Sequence, residues 1–154
     1  YNIRLEEFNV FLKEFIIINA EFPKHHLEKL NYMLDGGKRL RPIIGTAFCS
    51  GSNGNDYNYH NSKLVNNWDL LAIVEIIHNA SLILDDTPQM DNDSMRRNSP
   101  AFHVKYGIKT TYLFCYYLIS WINKYLAKRE SISVPIQSKI VIIENSSCGI
   151  RRIS

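Results

Sequence analysis

The segment from Asp85 to Arg97 carries the carboxylates of Asp85, Asp86, Asp91 and Asp93 and then the adjacent guanidinium groups of Arg96 and Arg97. Neighbouring carboxylates repel unless a cation sits between them. A hard divalent ion such as Mg²⁺ takes a few carboxylate oxygens and completes its shell with water and substrate phosphate. Arginine adds a planar fork that matches phosphate oxygens. These residue types, in this order, point to a site for metal-bound phosphate, with Asp85, Asp86 and Asp91 as ligands and Arg96 and Arg97 as donors to a diphosphate.

A second cluster, Gly36-Gly37-Lys38-Arg39-Leu40-Arg41-Pro42, places basic side chains at the start of a helix, where backbone N–H groups lack partners. This is a seat for an anion; taken alone it reads more readily as a solvated basic turn. His78 lies two turns before Asp85, with Leu82 between them on the same stripe. A histidine on such a helix serves either as a hydrogen-bonded core residue or as a ligand.

The elements that must position these groups read as helices. Asn2 opens a first helix with Phe8, Phe11, Leu12, Phe15 and Ile18 at helical spacing. A second starts near Lys24, carries Leu27, Leu30 and Leu34, and stops at Gly36-Gly37, where a left-handed backbone costs little. A third follows Pro42 with Ile43, Ile44, Ala47 and Phe48. A Gly-, Asn- and Ser-rich loop occupies 50–62, and a long helix from about Lys63 leads into the aspartates. Pro88 has no N–H for the Leu84 carbonyl and disfavours helical geometry at Thr87. The helix should therefore end near Asp86, and the chain should fold back so that Asp91, alone or with Asp93, faces the same cation. A short helix is expected between Pro100 and Gly107, an apolar one from Thr110 to Leu126 with Leu113, Phe114, Tyr117, Leu118, Trp121 and Tyr125, and a last one from Pro135 through Ile136, Ile140 and Ile143 to Gly149. No strand alternation persists, so the fold class is all-α, and 1–154 reads as one domain.

Composition narrows the function classes. The chain has 154 residues, 45% hydrophobic and 21% charged, with a net charge of +3, too small to argue for nucleic acid or an anionic membrane. No apolar run has the length of about 18 residues that spans a bilayer. Cys49, Cys115 and Cys148 lie far apart without metal or disulfide spacing, which favours a reducing intracellular compartment, either cytoplasm or an organelle such as a mitochondrion or plastid. The stretch Asp91 to Asp93 lacks the glycine and terminal glutamate of a Ca²⁺-binding EF-hand loop.

Taken together, Gly36-Gly37-Lys38-Arg39-Leu40-Arg41-Pro42, His78, Asp85-Asp86-x4-Asp91 with Asn92-Asp93, Arg96-Arg97 and Pro100-x2-His103 resemble the trans-isoprenyl diphosphate synthases in order and spacing. The resemblance implies an isoprenoid-synthase helical bundle, of which this chain covers about the first half. It implies Mg²⁺ on Asp85, Asp86 and Asp91, Arg96 on the allylic diphosphate, and Lys38, Arg41, His78 and Arg97 on the diphosphate of isopentenyl diphosphate. It also implies a homodimer or heteromer. Ser81 and Ala80, four and five positions before the first aspartate, are small, which implies a product of geranylgeranyl length or longer. The insertion Pro88-Gln89 resembles farnesyl and geranylgeranyl enzymes of bacterial and plastid type. The chain departs from the family at Leu84 in place of His, Asn98-Ser99 in place of Gly-Lys, and Cys115-Tyr116 in place of Gly-Asp. No aspartate follows Asp93, so the family's second aspartate-rich motif is absent. The expectation is a prenyltransferase completed by a C-terminal half, or alternatively an inactive subunit of that family with a structural or regulatory role.

Overall fold

A computed structural model describes residues 2–19, 22–51 and 67–129. The turn and last helix expected over 131–149, the loop after Gly51 and the start of the long helix at Lys63 lie outside the described residues. The described elements are α1 (Asn2–Asn19), α2 (Lys24–Leu34), α3 (Leu40–Gly51), α4 (Trp68–Asp85), β1 (Met95–Arg96), β2 (Ser99–Pro100), α5 (Phe102–Tyr106) and α6 (Ile108–Lys128). The fold is all-α. The paired two-residue strands are too short to leave a sequence alternation.

The chain divides into two compact units, one formed by Tyr1–Pro23 and Gly37–Ile76, the other by Lys24–Gly36 and Ile77–Ser154. In the first unit, Phe8, Leu12, Phe15 and Ile16 of α1 are buried, and Phe8 and Phe11 pack on Trp68 with ring centroids 5.9 and 5.3 Å away. Ile18, expected in this core, faces solvent, because the buried stripe runs through Phe15 and Ile16 and leaves the last turn outside. Gly45 lets α3 approach Leu71 of α4: a Cβ there would lie 2.5 Å from the leucine methyl. Pro42 sits in the first turn of α3, where its missing N–H has no helical partner to lose.

In the second unit, Leu30, Met33 and Leu34 of α2 are buried, as are Phe114, Cys115, Leu118, Ile122 and Leu126 of α6. Phe102 stacks on Phe114 at 5.4 Å, and the Tyr32 hydroxyl donates to the Pro100 carbonyl at 2.7 Å. The inward stripe of α6 is turned from the expected one: Leu113 is exposed and Cys115 is buried, its thiol against the Ala80 carbonyl. Tyr116, in place of the family's aspartate, points to solvent, so it fits without repacking. Among the described residues, no helix is long and apolar enough to cross a membrane.

Candidate functional site

The helix α4 ends at Asp85, as Pro88 demands. The Leu84 carbonyl, deprived of a proline N–H, accepts instead from the Thr87 backbone N–H at 3.1 Å and the Thr87 hydroxyl at 2.7 Å. The chain then folds back on the helix end. The carbonyls of Asp85, Thr87 and Asp86 accept from the N–H groups of Asp91, Asn92 and Asp93 at 2.8, 3.0 and 3.1 Å. Asn92 makes this reversal in the left-handed region, with φ 55°, a conformation asparagine tolerates better than most residues. Asp91 is thereby held beside Asp85.

The two adjacent aspartates have different surroundings. Asp86 has no exposed surface, and both its carboxylate oxygens accept from Arg96, one from Nε and one from Nη2. That bidentate bond holds the Arg96 guanidinium above its ordinary proton affinity, with the charges of Asp86, Asp85 and Asp93 adding to it. Asp85 is half-buried. Desolvation, then the charge of Asp91, pushes its carboxyl above the usual carboxylate range; Arg96 opposes this and Asp86 adds to it.

Arg96 and Arg97 reach the site on a hairpin. Met95 pairs with Pro100 and Arg96 with Ser99, and the two-residue turn between them has φ 50° at Arg97 and 63° at Asn98. Two successive left-handed residues make the type I′ turn that matches strand twist. This explains how Asn98 replaces the family's glycine: it is among the few side chains at ease there. Arg97 donates to the Asp35 carbonyl at 2.7 Å and to Asn79 Oδ1 at 2.9 Å, and its side chain lies over Gly36, whose φ is +66°. Tyr32, Met33, Gly36, Arg96, Arg97 and Pro100 line a cleft of about 50 Å³ in this unit.

Of the sequence candidates, Asp85, Asp86, Asp91 and Arg96 are brought together at the end of α4, while Arg97 and the half-buried His78 belong to the same unit. Lys38 and Arg41 are exposed residues of the other unit. Sequence reading missed Asn79, which is buried and holds Arg97; its distance of two helical turns from Asp86 was the available signal. It also took Arg39 as one of three cations of the basic cluster and missed its burial against Glu75 at 3.0 Å.

Among the described residues, no three acid, histidine or cysteine side chains converge on a metal-sized point. The oxygens of Asp86 are committed to Arg96. The mutual charge of Asp85 and Asp91, felt at Asp85, is of the kind a divalent cation neutralises, so these two residues fit a hard ion that keeps water and accepts phosphate.

Residues 23–146 match the polyprenyl synthetase family. A chloroplastic geranylgeranyl pyrophosphate synthase of Capsicum annuum is 40% identical over 100 residues, 64% of this chain and 24% of that protein. The large subunit 1 of a heterodimeric chloroplastic geranylgeranyl pyrophosphate synthase of Arabidopsis thaliana is 34% identical over 115 residues, 74% of this chain and 29% of the relative. The crystal structure of a geranyltransferase from Helicobacter pylori superposes with TM-score 0.67 at 27% identity, covering 97% of this chain and 51% of the other. The chain thus spans between about a quarter and a half of the length of these relatives. Its helices follow the isoprenoid synthase fold, its aspartate loop and arginine hairpin lie within the matched residues, and the chain belongs to the polyprenyl synthetase family.

Proposed function

We propose that this chain supplies the first aspartate-rich half of a prenyltransferase that joins isopentenyl diphosphate to an allylic diphosphate, giving geranylgeranyl diphosphate or a longer product. The observation that carries this reading is the fold-back loop that sets Asp91 beside Asp85 at the helix end, with Arg96 fixed on Asp86 next to them. Asp85 and Asp91 would hold Mg²⁺, and Asp86 serves as the anchor of Arg96. When bound, the metal neutralises charge on the diphosphate that leaves the allylic carbon. Arg96, oriented beforehand by two hydrogen bonds, meets the same charge without reorganising at the moment of reaction. The family resemblance assigns Lys38, Arg41, His78 and Arg97 to the diphosphate of isopentenyl diphosphate; its double bond attacks the allylic cation left when the C–O bond breaks, and the proton then released goes to the departing diphosphate. The small size of Ala80 and Ser81 supports a long product.

The names of the pepper and Arabidopsis relatives support a plastid or similar organelle, and that of the Arabidopsis relative supports assembly with a second subunit. The test uses the full natural protein with Mg²⁺, an allylic diphosphate and labelled isopentenyl diphosphate. A prenyl diphosphate product that disappears in Asp85→Ala is expected. Full activity in Asp85→Ala contradicts the site, and absence of product from a well-folded parent favours the inactive-subunit reading. Ala80→Tyr should shorten the product; unchanged length removes the tail-length argument.

A further inference from the structure

Lys38, Arg39 and Arg41 look alike in sequence, yet their surroundings differ. Lys38 and Arg41 are exposed, whereas Arg39 is 7% exposed. Its Nη1 donates to Glu75 at 3.0 Å, a carboxylate only 3% exposed, and its Nε donates to Asn9 Oδ1 at 3.1 Å. Its backbone is left-handed, with φ 51°, a region that a residue with a Cβ enters only at a cost, and its carbonyl accepts from the Ile43 N–H at 3.2 Å, opening the first turn of α3. A solvated basic turn would leave all three cations in water. Here one of them is turned inward, tied through its side chain to α1 and α4 and through its carbonyl to α3.

We propose that Arg39 is a positioning residue for the isopentenyl diphosphate seat: its ion pair with Glu75 and its bond to Asn9 fix the turn before α3 and the first turn of that helix, so that Lys38 and Arg41 are presented in one arrangement. The inference rests on the reading of Lys38 and Arg41 as diphosphate ligands. A buried ion pair is poor value as pure stabilisation, since well-packed apolar residues often serve as well, and its attested use is to specify one conformation. Two exposed cations of like charge, one on each side of the buried arginine, gain from such a frame. A loop already ordered loses less freedom when the anion arrives, so the benefit falls on binding rather than on the chemical step.

The experiment measures steady-state kinetics of the full natural protein in Arg39→Met, Glu75→Gln, Arg39→Lys and Lys38→Ala. In Arg39→Met and Glu75→Gln the KM for isopentenyl diphosphate should rise between about tenfold and a hundredfold, the range that misplacement of a binding group produces. The KM for the allylic diphosphate and kcat should stay where they are, and Arg39→Lys should restore part of the loss. Glu75→Gln keeps the volume of the native side chain and decides the matter if Arg39→Met does not fold. If Lys38→Ala raises the KM for isopentenyl diphosphate while Arg39→Met and Glu75→Gln only lower thermal stability, Arg39 is structural and the proposal is overturned. If Lys38→Ala leaves that KM unchanged, the seat itself has been misassigned.

Discussion

The basic loop before α3 and the acidic loop after α4 are built on one plan with opposite charge. Each turns through a left-handed residue that is not glycine, Arg39 in one and Asn92 in the other. Each withdraws one member of its charged cluster into a buried ion pair and leaves its neighbours, Lys38 and Arg41 or Asp85 and Asp91, in reach of a ligand. The difference lies in the partner. Glu75 is 3% exposed and closes the Arg39 pair inside the unit, whereas Arg96 is 29% exposed and keeps one face toward the site. A fully enclosed pair can only orient. A half-open one can orient and also bind.

That asymmetry gives the largest expected effect. Arg96→Ala strands a carboxylate with no exposed surface, and its urea midpoint should fall by an amount equivalent to about 3 kcal/mol, the lower end for breaking a buried pair because Arg96 is partly wet. Asp86→Ala should cost less, since the arginine left behind can turn to water. In the basic loop the two halves are equally enclosed, so Arg39→Met and Glu75→Ala should cost similar amounts. Equal losses for Arg96→Ala and Asp86→Ala would erase the distinction between the loops.

A smaller effect is expected at Gly36, whose φ of +66° and 3.4 Å approach to the Arg97 side chain leave a Cβ strained and crowded. Gly36→Ala should lower stability by about 1–2 kcal/mol, read from the same denaturation curves. Smaller again is the effect of Asp85→Asn in metal-free buffer. Because burial and the charge of Asp91 raise the folded-state affinity of Asp85 for its proton, ionising it costs stability. The cost is absent below the ordinary carboxylate range and complete above the raised value. Asp85→Asn should therefore raise the Tm at neutral pH, and the gain should fade as the pH falls through that window. A gain that persists in acid would point to packing rather than charge.

Much of this was legible in the sequence. Gly36 ended α2, Pro88 ended α4, and the return of Asp91 toward Asp85 followed from that proline. What periodicity could not resolve was which way a side chain turns at an element's end. Asp85 and Asp86 read as one carboxylate pair, yet the helix stops between them and sends Asp86 inward to Arg96. Likewise Arg39 read as one cation among three, because nothing local marks a charge whose partner, Glu75, lies on another helix. Ile18 and Leu113 were misread for a related reason: apolar residues on more than one face of a helix leave the rotation of its buried stripe open by one residue. The hairpin over Met95–Pro100 was invisible, since two-residue strands carry no period to detect.

The aspartates divide their labour between metal and arginine, and the Mg²⁺ concentration giving half-maximal turnover in the full natural protein separates the two roles. Asp85→Asn and Asp91→Asn should raise that concentration by about tenfold or more, as loss of a hard-ion ligand does, while Asp86→Asn should leave it unchanged and lower the Tm instead. A Mg²⁺ requirement raised as much by Asp86→Asn as by Asp91→Asn would contradict the account and make Asp86 a metal ligand after all.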